Sequence, residues 1–412
     1  MVFRGRTNTK LAAGYVPVAF RQRSWHKHLK EVPEVIVNAH EKLFTPVPIG
    51  PITLKHRIVM APMTRQRSEQ PGNVPGDLQL EYYTQRVTDG GLIIAEGTAV
   101  SQLGHGGYGS PGLWTDGQVS GWARITESVH AKGAFMFAQL WHAGRLAHIS
   151  STGEAPVSPS VDPDFWNNPP GQASMVSTAD GMQPPSPHRA LQASEIDGII
   201  GQFVTAAENA KTAGFDGIEL HGAYGYLLDE FLQDGTNKRT DDYGGSLENR
   251  FRLLAEVLAA TISVWGPNRV GVRLAPGGTF HGISDSDADT TFGYAADRLN
   301  EFELAYLHII ESRIDGFTLI AEDQGAVTTR RLRQRYHGTL LATGGFEPDT
   351  AEQTLVDGEA DMIGFARHFI SNPDLPERIR RSYPLSDSDR DTFYTPGAKG
   401  YTDYPTYDGA RG

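Results

Sequence analysis

Eight short apolar runs, at residues 57–63, 91–100, 134–141, 214–221, 269–276, 304–311, 338–345 and 361–369, recur along the chain, most followed by a stretch of helical periodicity. Eight strand-then-helix repeats predict a single (β/α)8 barrel rather than an open sheet. Thr115 and Gln118 form a capping pair ahead of a stripe made by Val119, Trp122, Ile125 and Val129, and Ser194 with Asp197 reads as a second cap, for a helix that Gly214 closes. Ser246 reads as the cap of a third, striped by Leu247, Phe251, Leu254, Leu258, Ile262 and Trp265. The helical signal around residues 323–335 is the weakest. A hairpin is expected over residues 43–54, with Gly50-Pro51 in its turn, placed to plug the barrel floor. The expected division is an N-terminal extension (1–42), a barrel (43–405) and a tail (406–412). Within the barrel, the Pro-, Ser- and Gly-rich connection 146–192 leaves the carboxyl end of the third strand and reads as a lid over the active face.

Composition narrows the function by exclusion. A net charge of −12 disfavours nucleic acid or an anionic membrane as partner. The absence of cysteine removes disulfides, thiolate metal sites and cysteine nucleophiles, and no metal site is expected. No apolar run is long enough to cross a membrane as a helix. The first thirty residues are Arg- and Lys-bearing and acid-free. They are poor in serine and interrupted by Pro17, so a variable extension on a cytoplasmic protein is expected ahead of an organellar presequence.

Alternation assigns the inward faces. In the fourth strand Ile218 and Leu220 point one way, and Gly217, Glu219 and His221 the other. Tyr224 and Tyr226 follow just beyond its end. In the fifth strand Val270, Val272 and Leu274 face the helices, so Arg273 faces inward and needs a partner, either Glu219 or an anionic ligand edge. The seventh and eighth runs end in Thr343-Gly344-Gly345 and Gly364-Phe365-Ala366-Arg367, where barrels commonly hold a phosphate. On residues alone this is a phosphate-bearing ligand, with FMN and a sugar phosphate both open.

One long stretch narrows the choice. His221, Gly225-Tyr226-Leu227-Leu228, Phe231-Leu232, Asn237-Lys238-Arg239-Thr240-Asp241, Tyr243-Gly244-Gly245-Ser246 and Glu248-Asn249-Arg250 resemble the old yellow enzyme family of flavin-dependent ene-reductases, and the likeness runs from about residue 43 to 404. The resemblance implies non-covalent FMN, reduction by NADPH or NADH, and a small electrophilic alkene as oxidant. It implies that Pro62, Met63 and Thr64 run past the isoalloxazine, with Thr64 on the flavin O4. Gly97 would lie where the planar ring passes, Gln139 on the pyrimidine edge, and Arg273 by the N1–C2=O edge that becomes anionic on reduction. Gly344, Gly345, Ala366 and Arg367 would take the phosphate. Trp141, Tyr108 and Tyr394 would line the substrate cavity, and Tyr226 matches the proton donor. In the family the histidine at His221 pairs with Asn or His three residues later to hold the substrate's carbonyl or nitro oxygen; here Tyr224 stands there. That departure keeps open an FMN-containing isomerase or a pathway enzyme acting on a bulky natural product; from another class, a phosphate-binding barrel that is not a flavoenzyme, or one that binds FMN without turnover, also stays open.

Overall fold

In the computed structural model the described residues are 40–171, 174–315, 318–319 and 327–408. The expected N-terminal extension up to residue 39, the centre of the expected lid and the start of the weak helix lie outside them. Strands β1 (Ile58–Met60), β2 (Leu92–Ala99), β3 (Phe135–Trp141), β4 (Gly217–Gly222), β5 (Val270–Leu274), β6 (Tyr306–Ile310), β7 (Leu340–Thr343) and β8 (Met362–Phe365) pair in parallel, each with the next, and β8 closes on β1. Helices α1 (Asp77–Gln85), α2 (Asp116–Ala131), α3 (Ile196–Thr212), α4 (Leu247–Trp265), α5 (Ala288–Leu299), α6 (Thr329–Arg333), α7 (Pro348–Val356) and α8 (Leu375–Arg380) follow them. The weak signal after β6 corresponds to α6, only five residues long.

Packing follows the alternation. Ile218, Leu220, Val270, Val272, Leu274, Leu307 and Ile309 join Trp122, Phe203, Phe251, Leu254 and Leu258 of the helices in one outer layer. Val59, Leu92, Ile94, Phe137, Tyr306, Leu341 and Met362 fill the inside. Val47, Ile49, Ile52 and Leu54 belong to that inner cluster, so the hairpin Val47–Ile49/Ile52–Leu54 closes the floor as expected. Each such aliphatic side chain contributes about 1.5–3 kcal/mol by leaving water.

Two caps form as read: Gln118 N donates to Thr115 Oγ1, and Asn249 N donates to Ser246 Oγ. Ser194 is a correction. Residues Ala193–Glu195 form a 3-10 turn, and the Glu195 carboxylate, held by Arg189 at 2.8 Å, accepts from Gln192 N. A charged acceptor prevails there over the hydroxyl. Gly214, at φ +83°, ends α3 as expected.

The connection 146–192 carries structure of its own among the described residues. It holds helices Ile149–Thr152 and Pro163–Asn167, the pair Val157–Ser158/Arg189–Ala190 and the hairpin Val176–Thr178/Gly181–Gln183. Arg145 bonds Asp162 at 3.0 Å, and Leu146, Phe165 and Val176 pack against Tyr226.

His56 is buried near the floor, edge-on to Phe44 with Gly91 behind it. Burial, reinforced by Arg380, lowers its pKa to about 4. Its folded pKa lies below the unfolded one, so its contribution is complete above about pH 6.5 and is lost as pH falls towards 4. At 1.36 kcal/mol per unit the full loss is roughly 3 kcal/mol. The stability gap between His56→Leu and the parent should therefore move in the variant's favour between pH 7 and pH 4.5, by about 2 kcal/mol in denaturant titrations. A gap independent of pH would contradict this.

Candidate active site

At the carboxyl ends of the strands lies a cavity of about 430 Å3, within the range of small-molecule sites. Pro62, Met63, Thr64, Gln139, His221, Tyr224, Tyr226, Arg273, Gly344, Gly345, Ala366, Arg367 and Tyr394 all line it. Residues on or just after β1, β3, β4, β5, β6, β7 and β8 thus converge on one space.

The inner end is built on a buried charge arrangement. Arg273 and His221 are register partners on adjacent strands, so both leave the barrel side by side. Arg273 does not pair with Glu219, the partner its neighbouring strand offered. The Glu219 oxygens are taken by Gln139 Nε2 at 2.7 Å and His308 Nδ1 at 2.7 Å. Burial works to raise the Glu219 pKa but is overcome by His308, Arg273 and Gln139, so the carboxyl lies below its usual range and is ionised. Burial lowers His308. A neutral His308 donating from Nδ1 to Glu219 leaves Nε2 to accept from the Thr343 hydroxyl, 3.0 Å away. Arg273 Nε has no hydrogen-bond partner among the described residues, although the side chain is only 7% exposed. Its guanidinium lies 5.5 Å from the centre of the Tyr224 ring. A buried cation with spare donors at a cavity wall is suited to an anionic, hydrogen-bond-accepting ligand edge.

His221, Tyr226 and Tyr224 form the adjoining wall. The His221 and Tyr226 rings stand edge to face at 4.9 Å, and His221 and Tyr224 at 6.4 Å. Burial, then Arg273, pushes the His221 pKa well below its ordinary value, so the imidazole is neutral. Its Nδ1 has no partner among the described residues. Burial, with Tyr394 and Tyr224, raises the Tyr226 phenol above its ordinary value, so it keeps its proton at neutral pH.

The outer end has backbone donors and room for an anion. Gly344 and Gly345 have φ of +120° and +66°, which side-chain-bearing residues rarely adopt, and a Cβ on Gly344 would lie 3.0 Å from Glu311 Cβ. Arg367, exposed, opens the short helix Arg367–Ser371 beside them. Tyr394 is brought in by a C-terminal segment that two buried arginines grip. Arg65 donates to the carbonyls of Phe393 (3.0 Å) and Gly400 (2.7 Å), and Arg67 to those of Phe393 and Thr392 (both 2.8 Å). This arrangement fits FMN, with polar groups for the ring's pyrimidine edge at one end and a phosphate-sized opening at the other.

Three residues stand elsewhere. A Cβ on Gly97 would meet Thr64 Oγ1 at 3.2 Å and the Trp141 ring at 3.4 Å, so its bare Cα serves packing between those side chains and not the cavity. Trp141 stands behind Tyr226, edge to face at 5.1 Å, and is not a lining residue. Tyr108 is 42% exposed and does not line the cavity; its N–H donates to the Ser177 carbonyl. His308, absent from the residues expected above, shares parity with inward-facing Tyr306 in β6, and alternation is the signal that marks it. Phe280, on the loop after β5, also lines the cavity, and no periodic signal marks it.

Comparison with known proteins agrees with this geometry. Residues 42–386 match the NADH:flavin oxidoreductase / NADH oxidase family. A putative 12-oxophytodienoate reductase 11 of Oryza sativa subsp. japonica is 41% identical over 366 residues, covering 88% of this chain and 97% of the relative. Among solved structures, an old yellow enzyme homologue from Zymomonas mobilis superposes with a TM-score of 0.83 at 40% identity, covering 88% of this chain and 99% of the other. Morphinone reductase in complex with tetrahydroNAD gives 0.80 at 41% identity, covering 90% and 99%.

Proposed function

The chain belongs to the old yellow enzyme family and is an FMN-containing, NAD(P)H-dependent oxidoreductase, and on that premise we propose that it reduces electron-poor C=C bonds conjugated to a carbonyl or nitro group. The observation that carries this reading is the wall on which two neutral donors, buried His221 and half-buried Tyr226, stand with ring centres 4.9 Å apart beside Arg273, whose Nε has no hydrogen-bond partner among the described residues. When bound, FMN supplies hydride that originates in NAD(P)H. Thr64, Gln139 and Arg273 would hold its ring, and Gly344, Gly345, Ala366 and Arg367 its phosphate.

The chain's own residues do the rest. Neutral His221 donates a hydrogen bond to the activating oxygen, which withdraws charge from the conjugated carbon. Tyr226 holds a proton at its phenol and delivers it to the carbon next to the activating group as negative charge builds there. Arg273 keeps a fixed positive charge at the ring edge that gains negative charge. Tyr224 brings an aromatic face where a second amide or imidazole donor would stand.

The test is anaerobic. NADPH should bleach the flavin absorbance of the purified protein, and electrophilic alkenes should restore it. A flavin that both NADPH and NADH leave oxidised would sink the proposal. Tyr224 favours one competing reading, a redox-neutral isomerase or a pathway enzyme for a bulky natural product. Steady NADPH consumption with simple cyclic enones counts against it.

A further inference from the structure

Tyr224 and Gly225, the two residues just before Tyr226, are consecutive left-handed residues, at φ +61° and +74°. Glycine adopts this conformation freely, whereas a tyrosine in it must be held by its surroundings. Both polar atoms of the single peptide that joins them are engaged by buried titratable side chains. On one side, Gly225 N–H donates to Asp229 Oδ2 at 2.9 Å. On the other, the Tyr224 carbonyl accepts from His281 Nδ1 at 2.8 Å.

Each holder is itself fixed. Asp229 is fully buried in the first turn of the helix Leu227–Leu232, whose cap residue is Tyr226, and its other oxygen accepts from Gln233 Nε2 at 2.7 Å. His281 has φ +60° and lies on the loop after β5, where Arg145 donates to the carbonyls of His281 and Gly282. Gly225 sits tightly against that loop, since a Cβ would stand 3.3 Å from His281 Cβ and from the Phe280 carbonyl.

We infer that Asp229 and His281 are positioning residues that clamp the Tyr224–Gly225 peptide from opposite sides and so set the placement of the Tyr226 phenol. Neither touches the reacting atoms. Their effect is to prevent rotation of that peptide plane, which would release the strained tyrosine and turn the start of the helix that carries Tyr226. This inference rests on the proton-delivering role of Tyr226 proposed above.

The test compares Asp229→Leu with Asp229→Asn, alone and combined with Tyr226→Phe. Asp229→Leu should slow flavin reoxidation by alkene about 10-fold or more, the scale of a misplaced reacting group, and leave flavin reduction by NADPH within about 2-fold. Asp229→Asn keeps an oxygen for Gly225 N–H and should recover most of the rate. In the Tyr226→Phe background, Asp229→Leu should add no further loss, because the two act through one group. Equal slowing of both half-reactions, or effects that multiply in the double variant, would overturn the inference.

A second measurement covers an Asp229→Leu protein that does not fold and is independent of turnover. Labelling Tyr with 13C at the carbonyl and Gly with 15N marks only the Tyr108–Gly109, Tyr224–Gly225 and Tyr243–Gly244 amides in this sequence. Tyr108→Phe and Tyr243→Phe identify the third signal by elimination. At a pH above the Asp229 pKa, which burial raises to about 7, that amide should move upfield in Asp229→Asn as it loses its charged acceptor, and an unmoved signal there would overturn the clamp. If the signal moves while Tyr226→Phe leaves reoxidation unchanged, the clamp stands and the proton-delivery reading falls.

Discussion

Tyr226→Phe should slow reoxidation of the reduced flavin by an activated alkene about 100-fold or more, the usual scale for removing a positioned general acid. Flavin reduction by NAD(P)H should be nearly unaffected, because no proton from the phenol is needed to accept hydride. The two half-reactions, followed separately by stopped-flow absorbance, therefore part company in this variant. The substitution removes one hydroxyl from a ring held on several sides, by Trp141, His221 and the Leu146–Phe165–Val176 cluster, so the packing that places the ring is kept. Burial already holds the Tyr226 phenol protonated well beyond neutrality, so the parent's reoxidation rate should show no decline from Tyr226 ionisation as pH rises from 6 to 9. Equal losses in both half-reactions would remove Tyr226 from the chemistry.

Arg273→Leu should lower the two-electron midpoint potential of the bound flavin. The Arg273 guanidinium has a donor to spare, and its charge has no direct ion pair among the described residues. A charge-assisted contact formed chiefly with the reduced, anionic ring is worth about 1.5–3 kcal/mol. With 30 mV equivalent to 1.4 kcal/mol for a two-electron couple, the fall is about 30–65 mV. Arg273→Lys should recover part of it, since it restores a point charge without the planar fork. A potential unchanged in Arg273→Leu would mean that the cation braces the barrel and does not face the ring.

Period-two alternation made β4 and β5 legible before any coordinates, because each strand is buried on both faces and a slip of one residue would bury the wrong set. The two phosphate-side glycine loops were legible for a different reason. After β7 the backbone angles of Gly344 and Gly345 demand glycine, and at Gly364 a Cβ would strike the Thr343 methyl, so the requirement is written in residue type. Gly97 rested on the family likeness and on no parity argument; it lies against Thr64 and Trp141, outside the cavity lining, and the register shift between Ile94 and Gly97 would have defeated parity there. The Ser194 cap failed because Glu195 is one residue away and charged, and its pairing with Arg189 depends on a contact six residues upstream. Tyr108 and Phe280 lie on loops, where no periodicity reports direction. The Arg273 environment could be read only halfway: the strand showed that the side chain points inward, but Glu219 is claimed by His308 from a strand further round the barrel.

The grip of Arg65 and Arg67 on the carbonyls of Thr392, Phe393 and Gly400 has a consequence for biosynthesis. These guanidiniums emerge from the ribosome just after the first barrel strand, while their acceptors are translated 325 to 335 residues later. Until those acceptors have been made, the arginines must stay hydrated or find provisional partners, because an unpaired cation cannot be buried cheaply. Assembly of the cofactor chamber is thereby deferred until this segment exists, and a product truncated ahead of Thr392 should emerge colourless.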